Sequence, residues 1–119
     1  MESNTEYCKV TAIIRRDALE KVEQHLRELG VPGISVTHVT GYGEYVNFYT
    51  RDGMTSHARI EIFCFTRQAE GIVKAIMDAA HSGLEGDGIV AVLPVCHLYH
   101  IRNRSEVQLD EPDLGSRSV

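Results

Sequence analysis

Ser82-Gly83-Leu84-Glu85-Gly86-Asp87-Gly88-Ile89-Val90 joins an expected helix to an expected strand. Its three glycines let the backbone enter positive φ and remove side chains from the turn. Such a turn can aim successive N–H groups into a concavity suited to phosphate oxygens. Gly and Asp also build ordinary tight connections. The stretch therefore takes its meaning from the elements on either side.

Downstream, Ile89–Val95 is a near-continuous apolar run, which predicts a strand buried on both faces. Pro94 within it marks a bend or an edge. Upstream, Ile72, Val73, Ile76, Ala79 and Ala80 line one face of a helix that Thr66 is placed to cap and Gly83 to terminate. Glu70 and Lys74 fall at i,i+4 on its outer side. Arg59–Phe65 reads as a strand before that helix.

Nearer the start, Tyr7–Ile14 is rich in β-branched residues and reads as the first strand. Asp17 is placed to cap the following helix, with Glu20 three positions later. Leu19, Val22, Leu26 and Leu29 give that helix an apolar face, Gly30 ends it, and Pro32 prevents its resumption. Ile34–Tyr42 reads as the second strand, closed by Gly41 and Gly43. Residues 44–57 are a polar excursion between strands, although Tyr45–Thr50 is also fit to extend the hairpin. A short extended piece, Cys96–Arg102, leads into a polar tail at 103–119 that reads as disordered or loosely docked.

The order β-α-β-β-α-β is the ferredoxin-like arrangement: an α+β domain over residues 1–102, with two helices on one face of an antiparallel sheet. A chain of 119 residues has little left to cover the other face. Self-association through that face is the economical solution. An apolar fraction of 43% suits a folded domain, and no apolar run is long enough to span a membrane. Residues 1–6 lack signal-peptide character, so the cytoplasm is the expected location. A net charge of −5 argues against general nucleic-acid binding. Cys8, Cys64 and Cys96 are an odd, widely spaced set and read as reduced thiols.

In that order, separated motifs resemble the PII signal-transduction proteins, trimeric sensors that bind adenine nucleotides between subunits. Lys9-Val10-Thr11-Ala12-Ile13-Ile14-Arg15 resembles the family's opening strand. The segment from Leu29-Gly30 through Gly33, Ser35-Val36-Thr37 and Gly41-Tyr42-Gly43 resembles its second strand, which ends in G-(F/Y)-G. Arg59-Ile60-Glu61-Ile62 resembles K-I-E-I, and Ser82-Gly83 through Gly86-Asp87-Gly88 resembles T-G-x-x-G-D-G. His100-Ile101-Arg102 resembles the closing R-I-R. The resemblance implies a homotrimer in which Gly86, Asp87 and Gly88 present N–H groups to nucleotide phosphates. Ser35, Gly41, Tyr42 and Gly43 would shape an opposing wall, brought there by trimer assembly. Ile13, Glu61 and Phe63 would reach the nucleoside from an adjacent subunit, and Arg102 the phosphates.

The departures from the family pattern carry information. Ile89 stands where a Lys usually follows G-D-G, His100 replaces an Arg, and Tyr45 follows Glu44 where a Gln helps hold Mg-ATP. His57 aligns with the Lys that meets 2-oxoglutarate, and residues 44–57 form a shortened T-loop. Lost positive charge near the β- and γ-phosphates implies AMP or ADP as ligand. Short-T-loop members are associated with carboxysome or bicarbonate-transport genes, so the resemblance further implies bicarbonate as a co-ligand. The regulated partner would be a transporter or a carbon-fixation component.

Arg51, His57 and Arg59 are the candidate cationic contacts for a small anion. Tyr45 and Tyr49 are candidate modification sites. A nitrogen-regulatory PII-type sensor is the alternative within the family. Outside it stands a ferredoxin-like trimer binding a metal ion: Cys96-His97-Leu98-Tyr99-His100 invites that reading, although Cys96 and His97 point to opposite faces of a strand and no C-x-x-C partner exists. An acylphosphatase-like enzyme needs an Arg-rich phosphate loop after the first strand; Arg15 and Arg16 stand there without one, so no catalysis is expected.

Overall fold

Strand β1 (Tyr7–Arg15) is an inner strand on which others assemble, paired along nearly its whole length on both sides. A computed structural model of the protein describes residues 5–31, 33–41 and 55–109. It contains helix α1 (Leu19–Leu29), β2 (Ser35–Gly41), β3 (Thr55–Phe65), α2 (Thr66–Ala80) and β4 (Gly88–Val95), then a small hairpin of β5 (Tyr99–His100) and β6 (Ser105–Glu106). The main sheet is antiparallel in the order β2-β3-β1-β4. This is the expected ferredoxin-like arrangement.

Period-two alternation divides the sheet. Cys8, Val10, Ala12 and Ile14 of β1, with Ala58, Ile60, Ile62 and Cys64 of β3, are buried on one face. Val22 and Leu26 of α1 and Ala69, Ile72, Ile76 and Ala79 of α2 complete that core. Each fully buried Leu or Ile contributes about 1.5–3 kcal/mol of transfer free energy, so this layer fixes the register. The other face carries Lys9, Thr11 and Ile13 of β1 against Phe63, Glu61 and Arg59 of β3.

Several local expectations are corrected. Asp17 does not cap α1: the chain leaves Arg15 extended and tightens through a single 3₁₀ turn at Arg16–Ala18. The position before the helix thus falls on Ala18, which gives no side-chain cap, while Asp17 pairs with Arg15 Nε at 3.6 Å. Thr66 is likewise the first residue of α2 rather than its cap. Its N–H donates to the Glu6 carbonyl (2.9 Å) and its hydroxyl to the Thr5 carbonyl (2.9 Å). The free Phe65 N–H is met by Gln68 Oε1 at 2.8 Å. Helix α2 stops at Ala80, with His81 already extended, so Gly83 lies in the loop beyond it. Gly30 ends α1 as expected, at φ 104°.

Strand β3 begins at Thr55, so the last residues assigned to the polar excursion belong to the sheet. Gly41, Thr40 and Val39 pair with Thr55, Ser56 and His57, and Arg15 pairs with His57 from the other side. Two neighbouring strands impose this pairing on a segment with weak propensity of its own.

Strand β4 is an edge, not a strand buried on both faces. Ile89, Val92 and Leu93 are 44%, 47% and 41% exposed. Pro94 is tolerated there because its missing donor faces no further strand. Residues 103–109, expected in the tail, include β6 and the buried Val107. The Tyr7 hydroxyl donates to the Val107 carbonyl (2.6 Å), and the Val107 N–H donates to the Leu98 carbonyl (2.8 Å). Tyr7, Phe65 and Val107 form a second small cluster on the open face, at the end of β1 where the chain enters.

Candidate functional site

The loop between α2 and β4 is built by three left-handed glycines: Gly83 (φ 88°), Gly86 (φ 90°) and Gly88 (φ 111°). Gly88 is the most constrained. A Cβ there would lie 1.8 Å from the Ile13 carbonyl oxygen and 2.9 Å from its carbon, both backbone of the central strand. The close approach lets the chain pass from loop into β4 while pairing with Ile14.

Asp87 clamps the loop from within. Its Oδ2 accepts the Ser82 N–H (2.8 Å) and the Gly83 N–H (2.9 Å), and its Oδ1 accepts the Ser82 hydroxyl. Ser82 Oγ in turn accepts the Leu84 N–H at 3.2 Å. Burial pushes the Asp87 carboxyl up, but these hydrogen bonds and the His81 imidazole outweigh it and hold it below its ordinary range. The N–H groups of Gly86 and Asp87 take no part in this internal set. The loop thus arrives preformed, with its first N–H donors consumed internally.

His57, expected as a cationic contact for an anion, is 2% exposed and lies 3.2 Å from the Gly86 carbonyl through Nε2. A carbonyl partner means that Nε2 carries the proton. The side chain braces the glycine loop from β3. Sequence reading missed this role because Gly86 lies on a different element, at the far side of β1.

Gly41 pairs with Thr55, close to the His57 level of the sheet, so it lies at the same end as Gly88. Strands β2 and β4 are three spacings apart, about 14 Å. One chain therefore already places Gly41 and the glycine loop at one end, which corrects the expectation that assembly brings them opposite. Tyr42, Gly43 and Arg51 lie outside the described residues, as do Tyr45 and Tyr49.

Ile13, Ser35, Glu61, Phe63 and Arg59 share the open face, with Ser35 and Thr11 both opposite Glu61. Lys9, which the sequence reading did not single out for a site role, pairs with Glu61 (Nζ to Oε2, 3.0 Å) and sits 5.9 Å from the centre of the Phe63 ring. Phe63 is 50% exposed. Arg59 Nε is buried without a hydrogen-bond partner among the described residues. An unmade buried donor of this kind costs about 1–3 kcal/mol.

Arg102 is exposed in the turn between β5 and β6. That hairpin follows Val95, which pairs with Tyr7, whereas the glycine loop enters at Ile14. Seven residue steps along β1 separate these attachments, about 23 Å. A single chain attaches Arg102 and the loop at opposite ends of the sheet.

A groove of about 620 Å³ runs below the loop, with walls from Ile76, Met77, Ile89 and Val90 and a polar mouth at His81 and Asp87. For the metal alternative, no group of three or more His, Cys, Asp or Glu side chains converges among the described residues. His97 pairs instead with Glu106 (2.8 Å). Cys8 and Cys64 meet in the core at 3.2 Å, and burial, then the Cys8 hydrogen bond, pushes the Cys64 thiol up, which keeps it unreactive. Arg15 and Arg16 turn to Asp17 and to Ser56 Oγ (3.2 Å) rather than to one phosphate site.

Residues 7–105 match the family described as Nitrogen regulatory protein P-II. The chain belongs to that family. It is 37% identical to the nitrogen regulatory protein GlnK2 of Haloferax mediterranei over 103 residues, covering 78% of this chain and 81% of that one. It is 32% identical to the nitrogen regulatory protein P-II of Cyanidium caldarium, covering 84% and 95%. The crystal structure of Arabidopsis thaliana PII bound to citrate superposes with a TM-score of 0.78 at 24% identity, over 98% and 95% of the two chains. That likeness shows the PII fold. The chain is thus a PII-family signalling protein, and a trimer is consistent with the family. No helix among the described residues is long and apolar enough to cross a membrane.

Proposed function

We propose that this protein is a cytoplasmic PII-type sensor that binds AMP or ADP in clefts between copies of the chain. In this reading bicarbonate is the co-ligand, and the sensor regulates a partner in inorganic-carbon metabolism. The observation that carries the nucleotide reading is the preformed glycine loop: Gly88 has no space for a Cβ, and Asp87 fixes the turn before any ligand arrives. Pre-organisation lowers the ordering cost of binding. The separate attachment of Arg102 and the loop supports a cleft shared between copies, in which a neighbour's Arg102 completes the phosphate site. The exposed apolar side chains of β4, with Phe63, supply surface for such an assembly.

The preference for AMP or ADP rests on Ile89, an apolar residue directly after the loop and opposite Ile13. His57, where a cation for 2-oxoglutarate is expected, is buried against Gly86, which supports a sensor that does not use that acid. The protein acts by binding, not by catalysis. Ligand binding favours one state of the sensor over another, and a partner reads that state. The relatives named as nitrogen regulators favour the second reading, control of nitrogen assimilation by the same nucleotide site.

Calorimetric titration of the trimer with AMP, ADP and ATP, with and without Mg²⁺, tests the proposal. Saturable AMP or ADP binding is expected. Mg-ATP binding strengthened by 2-oxoglutarate would favour the nitrogen-regulatory reading.

A further inference from the structure

We propose that Arg59 anchors a site for a small, planar, monovalent oxyanion (bicarbonate or a short carboxylate) on the sheet face away from the helices. The inference locates the co-ligand of the function proposed above and rests on that part of it alone. A cavity of about 250 Å³ lies on this face, bounded by Lys9, Thr11, Ile13, Arg59, Glu61 and Ile89. Two cations border it, and they differ. Lys9 is neutralised by Glu61 at 3.0 Å, whereas Arg59 has its Nε–H buried without an acceptor among the described residues. Buried donors are almost always satisfied, so this one calls for an acceptor that enters the cavity.

A guanidinium presents Nε–H and one Nη–H as a parallel pair, which matches two oxygens of a planar carboxylate or bicarbonate. Thr11, on the same wall, offers a hydroxyl for a further bond. Ile13 and Ile89 give the cavity apolar walls, which strengthen the charge-assisted pair. With Lys9 already paired to Glu61, Arg59 is the one bordering cation left to balance a ligand, which favours a single negative charge over sulfate and doubly charged phosphate.

The test uses the full-length, nucleotide-free protein and follows its arginine Nε–H signals by ¹⁵N–¹H NMR. The Arg59 signal is assigned by its loss in Arg59→Lys. It should shift saturably with bicarbonate, and formate and acetate arms tell which source of the shared chemistry fits best. Sulfate and phosphate should bind at least about tenfold more weakly. Thr11→Val should weaken bicarbonate about tenfold, the equivalent of one hydrogen bond to an ion. No shift at tens of millimolar bicarbonate or formate would overturn the proposal. So would equal binding of sulfate. A trimer lost in Arg59→Lys by native mass measurement would also overturn it, because another copy would then be supplying the acceptor. Nucleotide titrations are separate: binding of AMP without any anion shift refutes this site alone, and the reverse outcome refutes only the nucleotide reading.

Discussion

Replacing Gly88 by Ala tests the geometry on which the glycine loop rests. The added Cβ would lie 1.8 Å from the Ile13 carbonyl oxygen, 2.9 Å from its carbon and 3.3 Å from Ile14 Cα. None of these atoms is the end of a flexible side chain. All belong to β1, which is held by β3 and β4 and cannot retreat. An L-residue at φ 111° adds about 1–2 kcal/mol of backbone strain. Forcing apart a packed contact adds about 1–3 kcal/mol. The expected loss is about 2–5 kcal/mol, a large part of the roughly 5–15 kcal/mol that holds a domain together. Chemical denaturation at fixed protein concentration reads this directly, since concentration alters the apparent stability of an oligomer. Gly71→Ala is the matched control. Gly71 sits within α2 with nothing within 4 Å of an added Cβ, so the change should stabilise by about 0.5–1 kcal/mol. If Gly88→Ala unfolds within about 0.5 kcal/mol of the parent protein, the close approach of loop to strand is not present, because an ordinary surface change has that size.

Three other changes probe the supports of the site. His57→Ala removes the brace on the Gly86 carbonyl and should cost about 1–3 kcal/mol; hydrogen exchange of the amides at 83–87 should accelerate more than that of α1. Asp87→Asn tests the clamp through pH. Because the folded carboxyl is held below its ordinary value, its contribution is complete above about pH 4 and is lost as pH falls through the folded value; the variant should therefore lose less stability than the parent protein across that acid range in denaturation curves. Tyr7→Phe deletes the bond to the Val107 carbonyl and should lower stability by about 1 kcal/mol in the same denaturation assay.

What the sequence discloses depends on whether the cause is local. The positive φ at Gly83, Gly86 and Gly88 is a local demand, and the three glycines announce it. The first-turn errors arose because Asp17 and Thr66 are good caps in isolation, whereas the chain's exit from β1 and the ties to Thr5 and Glu6 set the helix starts. The apolar run of β4 reports that its surface seeks cover, but not whether the cover comes from the same chain. His57 was legible as a cation of the shortened loop. Its burial is decided by Val39, Arg15 and the Gly86 carbonyl, all distant in sequence. Lys9 escaped notice for the same reason, since its partner Glu61 is brought beside it only by strand register.

In the proposed function the glycine loop holds an adenine nucleotide with fewer phosphates than ATP. Calorimetry of the trimer with AMP, ADP and ATP, each with and without Mg²⁺, measures it directly. Binding of AMP or ADP, one per chain and tighter than Mg-ATP, is the expected result. No binding of any of the three at millimolar concentration would refute this assignment, and so would Mg-ATP binding more tightly than either.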